Sequence, residues 1–571
     1  MSITSWAHRR LWSRRVVTAF KLLTTGQFIS LFKRLRLFIL NRLNRKKPPK
    51  YSEWRKKWVQ IEGRRREKIL NYIDRLEHKP SFTFLISLEK TQTELLEKTI
   101  TCLINQLYPN WVLHISCSKN TDALLIDTVE KFKDTRINIT SSESRNFGDW
   151  ICQLELGIIL NEVALFAVVE STLLHEEALV VYSDHDHISA NGEYIDPYMK
   201  PDWNPDLLKA TNYFFPFVLF HNSLWGNFSI QQNNLHELSL SATKNLKAKE
   251  ILHISSVLAT VQVSDSKTHL LPQIKKIKET IPNPLPLVSI LIPTKNQGLM
   301  LERCLNSLRG KTDYSNFEVI VIDHESTEKK ALEVLKRFNE EPDNHLLSFS
   351  GSFNFSSMMN HASSKASGEI LLLLNNDTEV IESNWLKEMV TQVVRPEVGV
   401  VGAMLFFANG NIQHAGINPG VDGFMGHSHK NWPGDTPGYF GRLLIPHEVA
   451  AVTGACLAVE KENWNLVGGF DENLAVAYND VDFCFKIRKN NLRVILTPLA
   501  HLIHHESVSR GFDDSPRKQD RLLKELSIIR DKWGDFIHED PAYNPNLGFE
   551  FGGFHLADRP RKIPSWLIKQ E

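Results

Sequence analysis

The chain reads as an α/β protein: two mostly parallel, Rossmann-like sheets in tandem behind a basic helical N-terminal arm. Three observations predict this. From Pro80 onward, short apolar strand-like runs alternate with amphipathic helix-like ones. One strand–helix–strand unit occurs twice. And Ile370–Leu374 is an uninterrupted apolar run, as expected of a strand buried on both faces of a parallel sheet.

The length of 571 residues predicts two to four domains with full cores. Composition is that of a globular protein and excludes fibrous and low-complexity classes. The net charge of +1 conceals an asymmetry: residues 1–70 hold 20 Lys/Arg against Glu53, Glu62 and Glu67, a net of +17, so the remaining residues carry −16. The six cysteines are scattered, without a CxxC pair, which points to a reducing compartment. No signal peptide is expected, nor a transmembrane helix: Ile151–Val169, the most apolar stretch, is broken by Glu155, Asn161 and Glu162.

Within residues 1–50, Phe28, Leu31, Phe32, Leu35, Phe38 and Ile39 recur at helical spacing among Lys33, Arg34, Arg36 and Arg42. This pattern suits a basic amphipathic helix on an anionic membrane surface. A solvated helix packed on the body is the plainer alternative, and nucleic acid is not the expected partner. Residues 51–78 continue as a polar helix. The domains are expected at 1–78 (arm), 79–270, 271–286 (a Pro/Lys-rich linker), 287–535 and 536–571 (C-terminal extension).

The first copy of the repeat has strand Phe82–Leu88, helix Leu95–Leu107 and strand Trp111–Ser116. The second has strand Val288–Ile292, helix Leu299–Leu308 and strand Phe317–Ile322. Tyr108-Pro-Asn-Trp111 matches Tyr314-Ser-Asn-Phe317, which marks an internal duplication. The copies differ at their polar strand ends. The second ends in Pro293-Thr-Lys-Asn296 and Asp323-His-Glu-Ser-Thr327, whereas the first has Cys117 or Ser118 near the place of Asp323. The first copy shows no apolar strand ending in acids at the matching depth. Further on it has LVVYSDHD, where Asp184 and Asp186 are either metal ligands or a polar strand end.

Open α/β sheets bind ligands at the carboxyl ends of their strands. Asn375-Asn376-Asp377, at the end of the central apolar run, therefore marks a site where a carboxylate can hold a hard cation and the cation phosphates; an inert Asn/Asp turn is the alternative. Asp480 and Asp482 open a helix in VAYNDVDFCFKIR, where acids also serve as caps. His504 and His505 follow in LIHHESVSRG as metal, phosphate or structural groups. There is no Walker loop, GxGxxG, GxSxG or HExxH. NTPase, dinucleotide oxidoreductase, serine hydrolase and zincin readings thus lack their parts. What remains is metal-assisted chemistry on a phosphorylated ligand with a carboxylate base.

Residues 286–511 resemble glycosyltransferase family 2, the inverting nucleotide-sugar transferases of GT-A fold. The strings that carry the resemblance are VSILIPTKN, VIVIDHEST, FNFSSMMNHA, GEILLLLNNDTEV, IQHAGI, AVTGACLAV, VGGFDE, NDVDFCFKIR and HHESVSRG. The whole chain is similar to tandem-domain bacterial enzymes of O-antigen and surface-polysaccharide assembly, through YSDHDHISANGEYIDPYMKPDWNPDLL and DPAYNPNLGFEF. The resemblance implies a UDP- or dTDP-sugar donor, a lipid-linked glycan acceptor, Mg²⁺ or Mn²⁺, and work at the cytoplasmic membrane face. It places Pro293, Thr294, Asn296, Asp323, Asn375, Asn376, Gly454 and Ala455 around the donor. Asp377, the surviving acid of the family's DxD, would be the metal ligand, completed by His504 or His505. Asp480 would be the general base, with Asn479 and Asp482 on the acceptor side. It also implies that the first domain is degenerate and the second active. The alternative is a non-catalytic carbohydrate-binding scaffold.

Overall fold

Phe82–Leu88 and Trp111–Cys117 lie parallel and in register, as do Val288–Thr294 and Phe317–Asp323, in a computed structural model of the chain. The duplication extends to two whole sheets. The first runs Ile137–Thr140, Trp111–Cys117, Phe82–Leu88, Trp150–Gln153, Val218–His221, Val180–Ile188, Ile251–Gln262, Ile158–Leu160. The second runs Asn344–Ser348, Phe317–Asp323, Val288–Thr294, Ile370–Leu374, Cys456–Glu460, Val398–Phe406, Arg493–His504, Thr378–Val380. Strand for strand the orders coincide, and so does each parallel or antiparallel pairing along them. The structure describes residues 48–60, 63–88, 92–117, 123–140, 147–225, 234–263, 274–275, 279–421, 424–505, 516–549 and 553–567. The basic arm of residues 1–47 lies outside them.

The apolar run Ile370–Leu374 sits mid-sheet because both its faces have partners. Ile370, Leu372 and Leu374 pack with the helices Gly298–Gly310, Lys329–Asn339 and Trp385–Val393, through Leu301, Leu335 and Trp385. Leu371 and Leu373 pack on the other side with Phe355–Lys365 and Asn479–Lys489, through Met358, Met359 and Phe483. Alternation on a strand with helices over both faces requires an unbroken apolar run. Gly368 opens the strand where a Cβ would lie 2.7 Å from the Leu287 carbonyl oxygen and the Ser289 nitrogen, so only glycine fits.

The first sheet does contain a counterpart of the central strand, one that the sequence concealed. Trp150 pairs with Phe82 as Ile370 pairs with Val288. Ile158 pairs with Val261 as Thr378 pairs with His504. Gly157, at φ +82°, thus stands where the second domain has Asp377. Only residues 141–149 separate the strands that residues 349–369, with the helix Phe355–Lys365, separate in the second copy. LVVYSDHD is instead the counterpart of Val398–Phe406.

Asp184 and Asp186 in that strand are buried and fully engaged. Asp184 accepts from the Lys200 backbone N–H (2.8 Å), His253 Nε2 (2.9 Å), Asn544 Nδ2 (2.9 and 3.0 Å) and Asn546 Nδ2 (3.2 Å). Asp186 pairs with Arg55 (2.7 Å) and accepts from the Tyr51 and Thr260 hydroxyls. They are fasteners rather than metal ligands: they tie the first sheet to the helix Tyr51–Trp58 and to the C-terminal extension. The extension packs Leu567 into the first core, and Arg442 of the second domain donates to the Ala542 carbonyl (3.4 Å). Asp206 of the first domain binds two arginines of the second, Arg395 (2.7 Å) and Arg493 (2.6 Å). Residues 51–571 accordingly form one unit. No helix among the described residues is long and apolar enough to cross a membrane.

Candidate active site

Four strand ends of the second sheet meet at its carboxyl edge. Thr294 and Asp323 are register partners on neighbouring strands. The Asn376 amide donates to the Thr294 hydroxyl (2.9 Å), both buried, and braces that strand end to the next. Asn296, at φ +56°, accepts from the Thr327 and Glu328 N–H groups (2.7 and 2.9 Å), which ties the two polar loops together. Asp323 accepts from the Ser326 N–H and stays half-buried, with a side open to the edge. Pro293 is half-buried beside it. Thr294 and Asn376, expected around the donor, therefore brace the strand ends from within rather than lining the edge.

The Asp377 carboxylate faces the His504 imidazole, Oδ1 to Nε2 3.2 Å, with side chains 5% and 14% exposed. Asn375 Nδ2 is 3.3 Å from the same nitrogen. His505 turns the other way: its N–H binds the Asp377 carbonyl (2.9 Å) and its ring pairs with Glu379 (3.1 Å). That orientation removes His505 from the expected metal pair, because successive residues leaving a strand project to opposite sides. A carboxylate oxygen and an imidazole nitrogen at this spacing suit two adjacent ligands of a six-coordinate Mg²⁺ or Mn²⁺, which at bonds of roughly 2.1 Å lie about 3 Å apart. The group fits. Among the described residues no third His, Cys, Asp or Glu joins them, and Glu506 lies outside those residues.

Across the edge, the Asn375 N–H donates to the Ala455 carbonyl (3.0 Å), and the Gly454 N–H donates to Asp480 Oδ2 (3.0 Å). Asp480 Oδ1 accepts from the Val481 N–H (2.9 Å) at the start of the helix Asn479–Lys489. Burial pushes the Asp480 carboxyl above the usual carboxylate range, against the pull of its bonds to Gly454, Val481 and Thr453. A half-buried carboxylate of raised basicity beside a backbone turn is equipped to take a proton.

Asn479 and Asp482, expected on the acceptor side, are instead buried and engaged elsewhere. Asn479 is buried, with its amide directed at the Ser356 hydroxyl (3.2 Å). Asp482 is fully buried and binds Trp533 Nε1 and Lys532 Nζ, each at 2.7 Å. A helix turns 100° per residue, so Asp480 and Asp482 cannot share a face.

Gln413 and His414, both within IQHAGI, and His427 join the site although no catalytic pattern in the sequence marks them. Gln413 bonds His504 twice: Oε1 to Nδ1 (2.8 Å), and Nε2 to the His504 carbonyl (3.2 Å). His414 Nε2 accepts from the Thr453 and Gly416 N–H groups (both 3.4 Å), while its Nδ1 meets His427 Nδ1 (2.6 Å). Burial, with Lys430 nearby, lowers the pKa of both rings, that of His427 to about 3. The short strand Ile412–His414 thus touches both the cation pair and the Thr453–Gly454 turn beside Asp480.

Residues 289–462 match the model of glycosyl transferase family 2. The chain thus carries a glycosyltransferase family 2 domain. Its two sheets are GT-A-like domains in tandem. An uncharacterized protein of Sinorhizobium fredii is 32% identical over 571 residues, 90% of this chain and 62% of the relative. An O-antigen biosynthesis protein of Myxococcus xanthus is 29% identical, over 83% of this chain and 41% of the relative. The N-acetylglucosaminyl-diphospho-decaprenol L-rhamnosyltransferase of Mycobacterium tuberculosis is 25% identical, over 40% of this chain and 78% of the relative. The chain thus spans less than two thirds of the first two relatives' lengths. The solved structure of GalNAc-T7 with UDP, GalNAc and Mn²⁺ superposes at a TM-score of 0.37 and 18% identity over 48% of this chain and 52% of that one, too loosely to carry an argument.

Proposed function

We propose that the second domain transfers a sugar, with inversion, from a UDP- or dTDP-linked donor to a hydroxyl of a lipid-linked glycan. One observation carries the reading. The Asp377–His504 pair and the Asp480 carboxylate stand on one strand edge, bridged by Asn375, Ala455 and Gly454. Asp323 and the loop braced by Asn296 form the donor's nucleoside side. Asp377 and His504 hold the divalent cation, which when bound neutralises the departing diphosphate. Asp480 accepts the proton of the acceptor hydroxyl as its oxygen bonds to the anomeric carbon and the bond from that carbon to the diphosphate oxygen breaks. One displacement from the opposite face inverts the centre.

The first domain does not share the chemistry: Gly157 stands in the place of Asp377, and Asp184 and Asp186 are consumed by structural contacts. Surface-polysaccharide assembly is supported by the relatives' names, and the lipid-linked acceptor by the decaprenol-linked rhamnosyltransferase. The protein acts at the cytoplasmic face, held to anionic lipid by its basic arm. The test is a screen of nucleotide-sugars by thermal shift, followed by nucleotide release with Mn²⁺. Binding and release with one donor class, both lost in Asp377→Ala, are expected. Binding of none, or release unaffected by Asp377→Ala, overturns the reading.

A further inference from the structure

We propose that Gln413 is a positioning residue that sets the protonation pattern of His504, so that Nε2 is presented bare to a cation shared with Asp377. The inference rests on the cation reading above and adds a residue to which that reading gave no role.

Two bonds join the Gln413 side chain to His504, one to its ring and one to its backbone carbonyl. A backbone carbonyl only accepts hydrogen bonds. The Gln413 group facing the His504 carbonyl at 3.2 Å must therefore be the amide nitrogen. That orients the whole amide: its oxygen is the atom facing His504 Nδ1 at 2.8 Å. An amide oxygen only accepts, so Nδ1 carries a proton and donates it. Flipping the amide would break both bonds at once. A ring with a single proton therefore keeps its lone pair on Nε2, the nitrogen 3.2 Å from Asp377 Oδ1.

In that tautomer two acceptors face one another, with Asp377 buried and His504 half-buried. Asn375 Nδ2 can donate to Nε2 from 3.3 Å, but nothing it does relieves the repulsion between the nitrogen and the carboxylate. A positive centre between them does, and the space suits a cation ligated by both. Without Gln413, an imidazole protonated on Nε2 would satisfy Asp377 by a direct hydrogen bond and block the cation. Gln413 is itself 4% exposed and held on the strand Ile412–His414, which pairs with Val398–Phe406. Partners of this kind, which orient a metal-binding histidine through its second nitrogen, typically change metal affinity 10–100-fold.

The test measures Mn²⁺ affinity of the full chain by the EPR signal of free Mn²⁺, alone and with UDP or dTDP. Gln413→Leu removes the acceptor and is expected to weaken binding about 10–100-fold, while Gln413→Glu, which keeps an acceptor for Nδ1, binds like wild type. His504→Ala provides the limit. If Gln413→Leu fails to fold, Gln413→Asn, whose shorter side chain withdraws the acceptor, takes its place with the same expected loss. Wild-type Mn²⁺ affinity in Gln413→Leu or Gln413→Asn, or equal losses in Gln413→Glu, would overturn the inference and leave the cation site standing. No Mn²⁺ binding by wild type itself would overturn both.

Discussion

Asp480→Asn separates chemistry from folding more cleanly than any other change in this protein. The substitution preserves size and leaves one acceptor oxygen for either Gly454 or Val481, whose N–H groups bond the two carboxylate oxygens at 3.0 and 2.9 Å. Losing one such bond costs about 1 kcal/mol. Against that stands the charge itself. Burial raises the Asp480 pKa, so the folded state binds its proton more tightly than the unfolded chain. The stabilisation this brings is complete below the unfolded value, about 3.9, and is lost as pH rises through the folded one. At neutral pH the wild type carries a carboxylate that its surroundings disfavour, and Asn relieves it. The two effects oppose, and Tm should move by less than about 2 °C. Catalysis has no such offset. Loss of a general base costs about 10²–10⁴ in kcat, or roughly 3–5 kcal/mol of barrier. The assay is transfer to a proven acceptor, with nucleotide release as a second readout. The wild-type acid limb of kcat/KM should lie above the ordinary carboxylate range and vanish in the variant. A variant with wild-type kcat and an unchanged acid limb would refute the assignment.

Asp206→Ala should destabilise the junction of the two domains by about 3 kcal/mol in urea unfolding, because Arg395 and Arg493 lose a buried partner. Burial would raise the Asp206 pKa, but Arg493 and Arg395 outweigh it and hold the carboxyl below its usual range. This stability is therefore present above the unfolded value and lost as pH falls through the folded one, and the variant's stability should fall less on acidification. Asn544→Leu should cost about 1–3 kcal/mol, since fully buried Asp184 loses both bonds from Asn544 Nδ2 and the Lys200 carbonyl loses a third; an unchanged urea midpoint would show that the extension is not held by this network. Removing residues 1–50 should release the protein from phosphatidylserine vesicles while leaving the donor-induced thermal shift intact; undiminished binding would exclude the arm as the anchor.

Much of the fold was legible because its signals are local. Ile370–Leu374 reads as a doubly buried strand from its own residues, and the paired Tyr-x-Asn-aromatic turns expose the duplication. The first copy's central strand was not legible. Its neighbours are spaced differently, and the residue in the place of Asp377 is a glycine, which advertises no chemistry. Asp184 and Asp186 misled in the opposite direction. Their acids look free along the chain, yet their partners Arg55, Asn544 and Asn546 come from both ends of it.

By itself the sequence determined the class of sheet, the doubled architecture and the polar strand and helix ends at which Asp323, Asp377 and Asp480 stand, because strand burial and residue chemistry are properties of single segments. Only the tertiary structure decided which neighbour each acid faces. It chose His504 over His505, turned Asp482 to Trp533 and Asn376 to Thr294, and brought Gln413 against His504 from 91 residues away. Those outcomes depend on how strands distant in the chain align side by side, and on which way each side chain leaves its strand or helix once they do.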